Sequence, residues 1–147
     1  MANSVEYGLL WGNKKIINKT MIKDFLIINC TGKNDQVGLR IDNNFFIHDF
    51  QTKFQKNELL AQTIVNFITK HKVNIDENFS VLINYGPGRF SSIRASLSIA
   101  KGIKISKNVK LFGYKGKDLP QFNLENIENL INKDLLEKNL IKPIYLS

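Results

Sequence analysis

A chain of 147 residues, 43% of them hydrophobic, is long enough for one packed domain and short for two. No apolar run approaches the ~20 residues that a membrane span needs, the N-terminus has no apolar core followed by a small-residue cleavage site, and a single cysteine excludes an internal disulfide and fits a reducing, cytoplasmic compartment. A net charge of +8 invites a nucleic-acid reading, but of the 21 basic residues only Arg40, Arg89 and Arg94 are arginines, the better residue for forked phosphate contacts; an A- and T-rich genome yields the same mixture of Lys, Asn and Ile without selection for nucleic acid.

Met1–Thr20 differ in character from the rest of the chain. They hold the only tryptophan, Trp11, a lysine pair and no clear period, and are read as an appendage or a misassigned start, with Met21 the favoured initiator. Phe25–Thr31 (FLIINCT) reads as a buried strand. Gln36–Ile41 alternates, with Val37, Leu39 and Ile41 on one face, as a half-buried strand does. Asp42-Asn43-Asn44 suits a tight hairpin turn, because Asp and Asn tolerate positive φ. Phe45–Phe50 returns as a third strand. Leu59, Leu60, Thr63, Ile64, Phe67 and Ile68 then recur at helical spacing and predict a helix over Lys56–His71 with Lys70 and Lys72 near its negative end. Phe79–Tyr85 (FSVLINY) is a fourth strand, stopped abruptly by Gly86-Pro87-Gly88. A second helix is expected over Phe90–Lys104, with Ser91 or Ser92 as its cap. Lys110–Tyr114 is the fifth strand. A helix around Leu124–Ile131 and a second helical piece around Leu135–Leu140 precede Pro143–Leu146.

The order β-β-β-α-β-α-β is that of an α/β, ribonuclease-H-like or actin-like lobe. Its two crossovers force parallel pairing in a mixed five-stranded sheet with helices on its faces. The domain reading is an appendage over 1–20, an actin-like N-lobe over 21–119, and a short helical remnant of a truncated second lobe over 120–147.

Few residues offer chemistry. Cys30 lies in an apolar run and reads as a buried, inert thiol. His48 and His71 have no Cys or carboxylate partner at metal-ligand spacing, and no metal site is expected. Lys101, Lys104, Lys107, Lys110, Lys115 and Lys117 cluster in sequence; a solvated face is the preferred reading over RNA phosphate contacts. The informative stretch is Asn84–Gly102, NYGPGRFSSIRASLSIAKG. Glycines permit a sharp turn, and exposed amides at a helix start attract anions. The spacing fits neither a P-loop nor a dinucleotide fingerprint, so by itself it reads as a strand-to-helix elbow, with ligand binding as the alternative.

That stretch resembles the signature of the TsaB (YeaZ) family, GPGSFTGLRIGL followed by an AKGL-like segment. Gly86, Pro87, Gly88, Phe90, Arg94, Leu97, Ala100, Lys101 and Gly102 match; Ser91 replaces the family's Thr, and Arg89 and Ser92 depart from its Ser and Gly. FLIINCTG resembles the family's first strand, NELLAQTIVNFI its first helix, and Pro143-Ile144-Tyr145-Leu146 its PxYLR terminus, with Ser147 in place of Arg.

The resemblance implies a non-catalytic scaffold for threonylcarbamoyl transfer to the tRNA adenosine beside the anticodon. Its partners would be a TsaD-like catalytic subunit and a TsaE-like ATPase, with tRNA reached through the complex and self-association when the partner is absent. No cofactor is expected in this chain; ATP and metal belong to the partner subunits. The two helices would form the interface, through Leu60, Ile64, Phe67, Arg94, Ala95, Ser98, Ala100 and Lys101, beside the elbow of Gly86, Pro87, Gly88, Phe90 and Ser91. In the second helix Ile93, Leu97 and Ile99 are expected inward and the small residues outward. An actin-like phosphotransferase needs an Asp at the end of its first strand, and Asn29 stands there; a neutral amide cannot hold Mg²⁺ as a carboxylate does. The rival readings are an actin-like ATPase or peptidase-type enzyme, a basic RNA-binding module, and a degenerate fragment with no partner.

Overall fold

The computed structural model describes residues 22–50, 57–139 and 141–146. The N-terminal appendage therefore lies outside the described residues. Three strands open the fold: β1 (Phe25–Asn29), β2 (Gln36–Ile41) and β3 (Asn44–Asp49). They form a meander, with Phe25 opposite Arg40 and Ile41 opposite Asn44. The turn between β2 and β3 places Asp42 and Asn43 at φ 49° and 68°, the left-handed pair that matches hairpin twist.

Helix α1 (Asn57–Lys70), strand β4 (Ser80–Asn84), helix α2 (Phe90–Lys107) and strand β5 (Lys110–Tyr114) come next, and α3 (Leu124–Asn132) closes the series of helices. β4 runs parallel to both β1 and β5, giving the strand order β3-β2-β1-β4-β5. This is the mixed ribonuclease-H-like sheet that the element order implied.

Alternation within β1 sends side chains to two cores. Leu26 and Ile28 join Val81, Ile83, Leu60, Ile64, Phe67, Ile93 and Leu97 beneath α1 and α2. Phe25 and Ile27 join Leu82, Phe112, Ile127, Leu130 and Ile131 beneath α3. A strand covered on both faces reads as an unbroken apolar run, which is why FLII and VLI show no polar alternation. Each such side chain removed from water contributes ~1.5–3 kcal/mol. After residue 119, α3 covers the second face of this same sheet.

The helical piece expected around Leu135–Leu140 is not a helix over its described residues. Asp134 turns the chain at φ 60°, and Glu137 pairs with Gly113 through bonds of 2.7 and 2.8 Å. The edge of β5 offers unpaired backbone groups, and the segment satisfies them by extending alongside it; Leu140 lies outside the described residues.

Candidate functional site

In an open α/β sheet ligands bind beyond the carboxyl ends of the parallel strands, where neighbouring loops diverge. Here that place lies above β1 and β4, between the Thr31–Asp35 loop and the Gly86-Pro87-Gly88 elbow. Gly86 has φ 121°, which only glycine adopts without strain, and a Cβ there would collide with the carbonyl oxygen of Ile144. A Cβ on Gly88 would come within 2.8 Å of Thr31 and 2.9 Å of Ile93. The elbow is therefore a point where three segments meet at backbone distance.

Its amides are already engaged. Gly86 donates to Asn84 Oδ1 at 2.9 Å, Gly88 to the Ile144 carbonyl at 3.1 Å, and Arg89 to the Thr31 carbonyl at 2.9 Å. Pro87 has none. The amides of the turn itself are thus engaged by oxygens of the same chain. No side chain caps α2: Arg89 is the N-cap residue, while Ser91 is exposed and Ser92 half-buried. The hydroxyl that does bond is on Ser96, which reaches the carbonyls of Cys30 at 3.1 Å and Ser92 at 2.9 Å.

Beneath the elbow sits a neutral network. Asn84 Nδ2 donates to Asn29 Oδ1 at 2.7 Å, and the Tyr114 hydroxyl donates to the same oxygen at 3.0 Å. Burial holds the Tyr114 phenol well above its ordinary pKa, so it remains a donor. Two amides and a phenol thus occupy the strand ends where a phosphotransferase would need carboxylate. Sequence reasoning singled out Asn29 and missed Asn84 and Tyr114. Asn84 abuts the glycines, which was a usable cue; nothing local marks Tyr114.

Asp35, in the loop above, accepts from the Gly32 amide at 2.9 Å, and its pKa is raised because burial outweighs the backbone bonds and the nearby Arg89. Cys30 is buried as expected, and burial pushes its thiol far above the ordinary value, so it is no thiolate nucleophile. His71 stacks on Phe46 at 4.0 Å and His48 meets Phe50 edge-on at 5.1 Å. Both histidines belong to the β3 side, three strands or roughly 14 Å from β4. Among the described residues no group of three or more His, Cys, Asp and Glu is placed to hold a metal, and no helix is long and apolar enough to cross a membrane.

The expected interface residues divide. Leu60, Ile64, Phe67 and Ala100 are buried in this chain's own core and cannot also face a partner. Their helical spacing is real, but it serves the sheet. Arg94, Ser98 and Lys101 are exposed and Ala95 is half-buried. In α2 the inward stripe is Ile93, Ser96, Leu97 and Ala100. The small residues are therefore not all outward: Ser96 and Ala100 let the helix sit close to β4 and β5, while Ile99 is half-buried. Pro87, Phe90 and Ser91 of the elbow are exposed and Gly86 and Gly88 are buried. The lysine run splits: Lys104 and Lys107 end α2 near the start of β5, whereas Lys115 and Lys117 lie past its far end, roughly 16 Å away along the strand.

No protein-family model matches the chain, and neither does any curated protein. Solved structures do match. YeaZ from Pseudomonas aeruginosa is similar with a TM-score of 0.58 at 14% identity, over 67% of this chain and 45% of that one. A second P. aeruginosa protein, described as uncharacterized with similarity to peptidase YeaZ, is similar with a TM-score of 0.57 at 14% identity, over 67% of this chain and 44% of its own. At that identity the likeness is one of fold, and this chain matches less than half the length of either structure: it has a YeaZ-like α/β lobe.

Proposed function

We propose that this chain is a TsaB-type partner subunit that carries no catalysis of its own and supports a TsaD-like sister protein in threonylcarbamoyl transfer to tRNA. The observation that carries the reading is the closed, neutral strand end. Asn29, Asn84 and Tyr114 bond to one another where an actin-like enzyme would present acid, and the elbow amides are filled by Ile144 and Thr31. A lobe that seals its ligand-binding end while keeping the YeaZ-like frame has its outer surface left to work with. That surface is the exposed side of α2, where Arg94, Ser98 and Lys101 succeed one another at helical spacing.

Co-expression with a TsaD-like protein from the same source tests the reading. The expected result is a complex that survives gel filtration and is weakened by Ser98→Arg, with no ATP turnover by the lone chain. Absence of a complex, or ATP hydrolysis by the isolated chain that Asn29→Ala abolishes, defeats it.

A further inference from the structure

One ridge runs the length of α2. Phe90, Arg94, Ser98, Lys101 and Ile105 recur every three or four residues and are all exposed, so they lie in a single row. Its two ends are apolar: Phe90 is 55% exposed and Ile105 85%. At the Phe90 end the row does not stop. Tyr145 packs on Phe90 with ring centroids 4.8 Å apart, and the Arg94 guanidinium lies over the same Phe90 ring, 5.1 Å from its centroid. Tyr145 remains 38% exposed and Leu146 63%.

The C-terminal segment is held there by its backbone. Ile144 donates to Tyr85 at 2.8 Å and accepts from Gly88 at 3.1 Å, and Leu146 donates to Gly88 at 2.9 Å. Its main chain is spent on the elbow, and its apolar side chains are turned out. A contact made here would be through side chains and not through an added strand.

We infer that the docking face extends from α2 onto this C-terminal segment, and that it takes the sister subunit through an apolar surface carrying a carboxylate opposite Arg94. The inference rests on the partner-subunit reading and deepens it. Charge selects the occupant. No ion pair engages Arg94 among the described residues, and its cationic neighbours on the ridge and elbow are Arg89 and Lys101. A second copy of a chain carrying +8 would bring cation against cation. An acid-bearing protein meets both the arginine and the aromatic pair, and aromatic and Arg side chains are the usual anchors of such contacts.

The test uses the full chain with the TsaD-like protein, measuring affinity by calorimetry at low and high salt. Tyr145→Ala combined with Leu146→Ser is expected to weaken binding about tenfold or more, and Arg94→Glu about tenfold with the larger effect at low salt. Ile47→Ser, on the exposed side of edge strand β3, should change affinity by less than about twofold. Thermal unfolding of each variant checks that the fold is intact; should the double variant not fold, Arg94→Glu decides. If wild type binds and the folded variants bind equally well, this inference is overturned while the partner-subunit reading stands. If wild type does not bind, both fall. If the lone chain forms a dimer that the double variant abolishes and that the TsaD-like protein does not dissociate, the face belongs to a second copy and the inference also falls.

Discussion

The carboxyl ends of β1 and β4 and the outer side of α2 treat their side chains in opposite ways. At the strand ends, Asn29, Asn84, Tyr114 and the elbow amides are turned inward and paired. Along α2, Phe90 and Ile105 stand largely in solvent, with more than half of each side chain left uncovered by the described chain. Polar groups satisfied internally close a site; apolar groups left outside keep one open for a protein. The place where α/β sheets usually bind small ligands is thus the less available of the two.

The largest expected effect separates the two sides of α2. Ala100 is fully buried, so Ala100→Arg places an uncompensated charge in the core beneath α2 and should cost at least ~3 kcal/mol. Ser98→Arg, two residues away but exposed, should stay within ~0.5 kcal/mol. Urea unfolding of both variants reads the contrast; equal losses would erase the distinction between the two faces.

Next comes the elbow. Gly86→Ala forces a side chain into φ 121° and onto the Ile144 carbonyl, and should destabilise by ~1–3 kcal/mol. Amide exchange at Gly88 and Leu146 should quicken as the C-terminal segment loosens. Unchanged exchange would mean that the segment is not held by this contact.

Tyr114→Phe removes one donor from Asn29 Oδ1 and leaves the Asn84 bond in place. A loss of about 1 kcal/mol in denaturant titration is expected, since the oxygen keeps one partner.

The smallest effect is one of pH. Burial raises the Asp35 carboxyl above its ordinary 3.8, so the folded chain holds that proton more tightly than the unfolded one. Its contribution to stability is fully present below the unfolded value and is lost as pH rises through the folded value. Asp35→Asn should flatten that slope in unfolding titrations at pH values above the ordinary 3.8. A variant that keeps the slope assigns it to another carboxylate.

Much of this frame was readable along the chain. β2 and β5 fall on their expected bounds, and the others agree within two or three residues, because apolar runs, Asp-Asn turns and Gly-Pro-Gly are local signals. The misses share one cause. Leu60, Ile64 and Phe67 were correctly seen as one-sided, but spacing does not say whether that side meets the sheet or a partner, and Ala100, expected outward with the other small residues, is buried. Leu135 and Leu136 suit a helix, yet the open edge of β5 drew the next residues into extension. Ser91 and Ser92 are good capping residues, but the helix begins at Phe90 with Arg89 as its N-cap, which leaves both serines inside the first turn.

By itself the sequence determined the succession of strands and helices, the hairpin and the sharp bend at Gly86-Pro87-Gly88, because each depends on the conformational preferences of adjacent residues. Only the tertiary structure decided that Asn29 would be met by Asn84 and Tyr114, 55 and 85 residues further on, and that the last residues would fold back onto the elbow. Those outcomes depend on which backbone and polar groups are left unsatisfied once the sheet has formed, and that is known only when distant segments lie side by side.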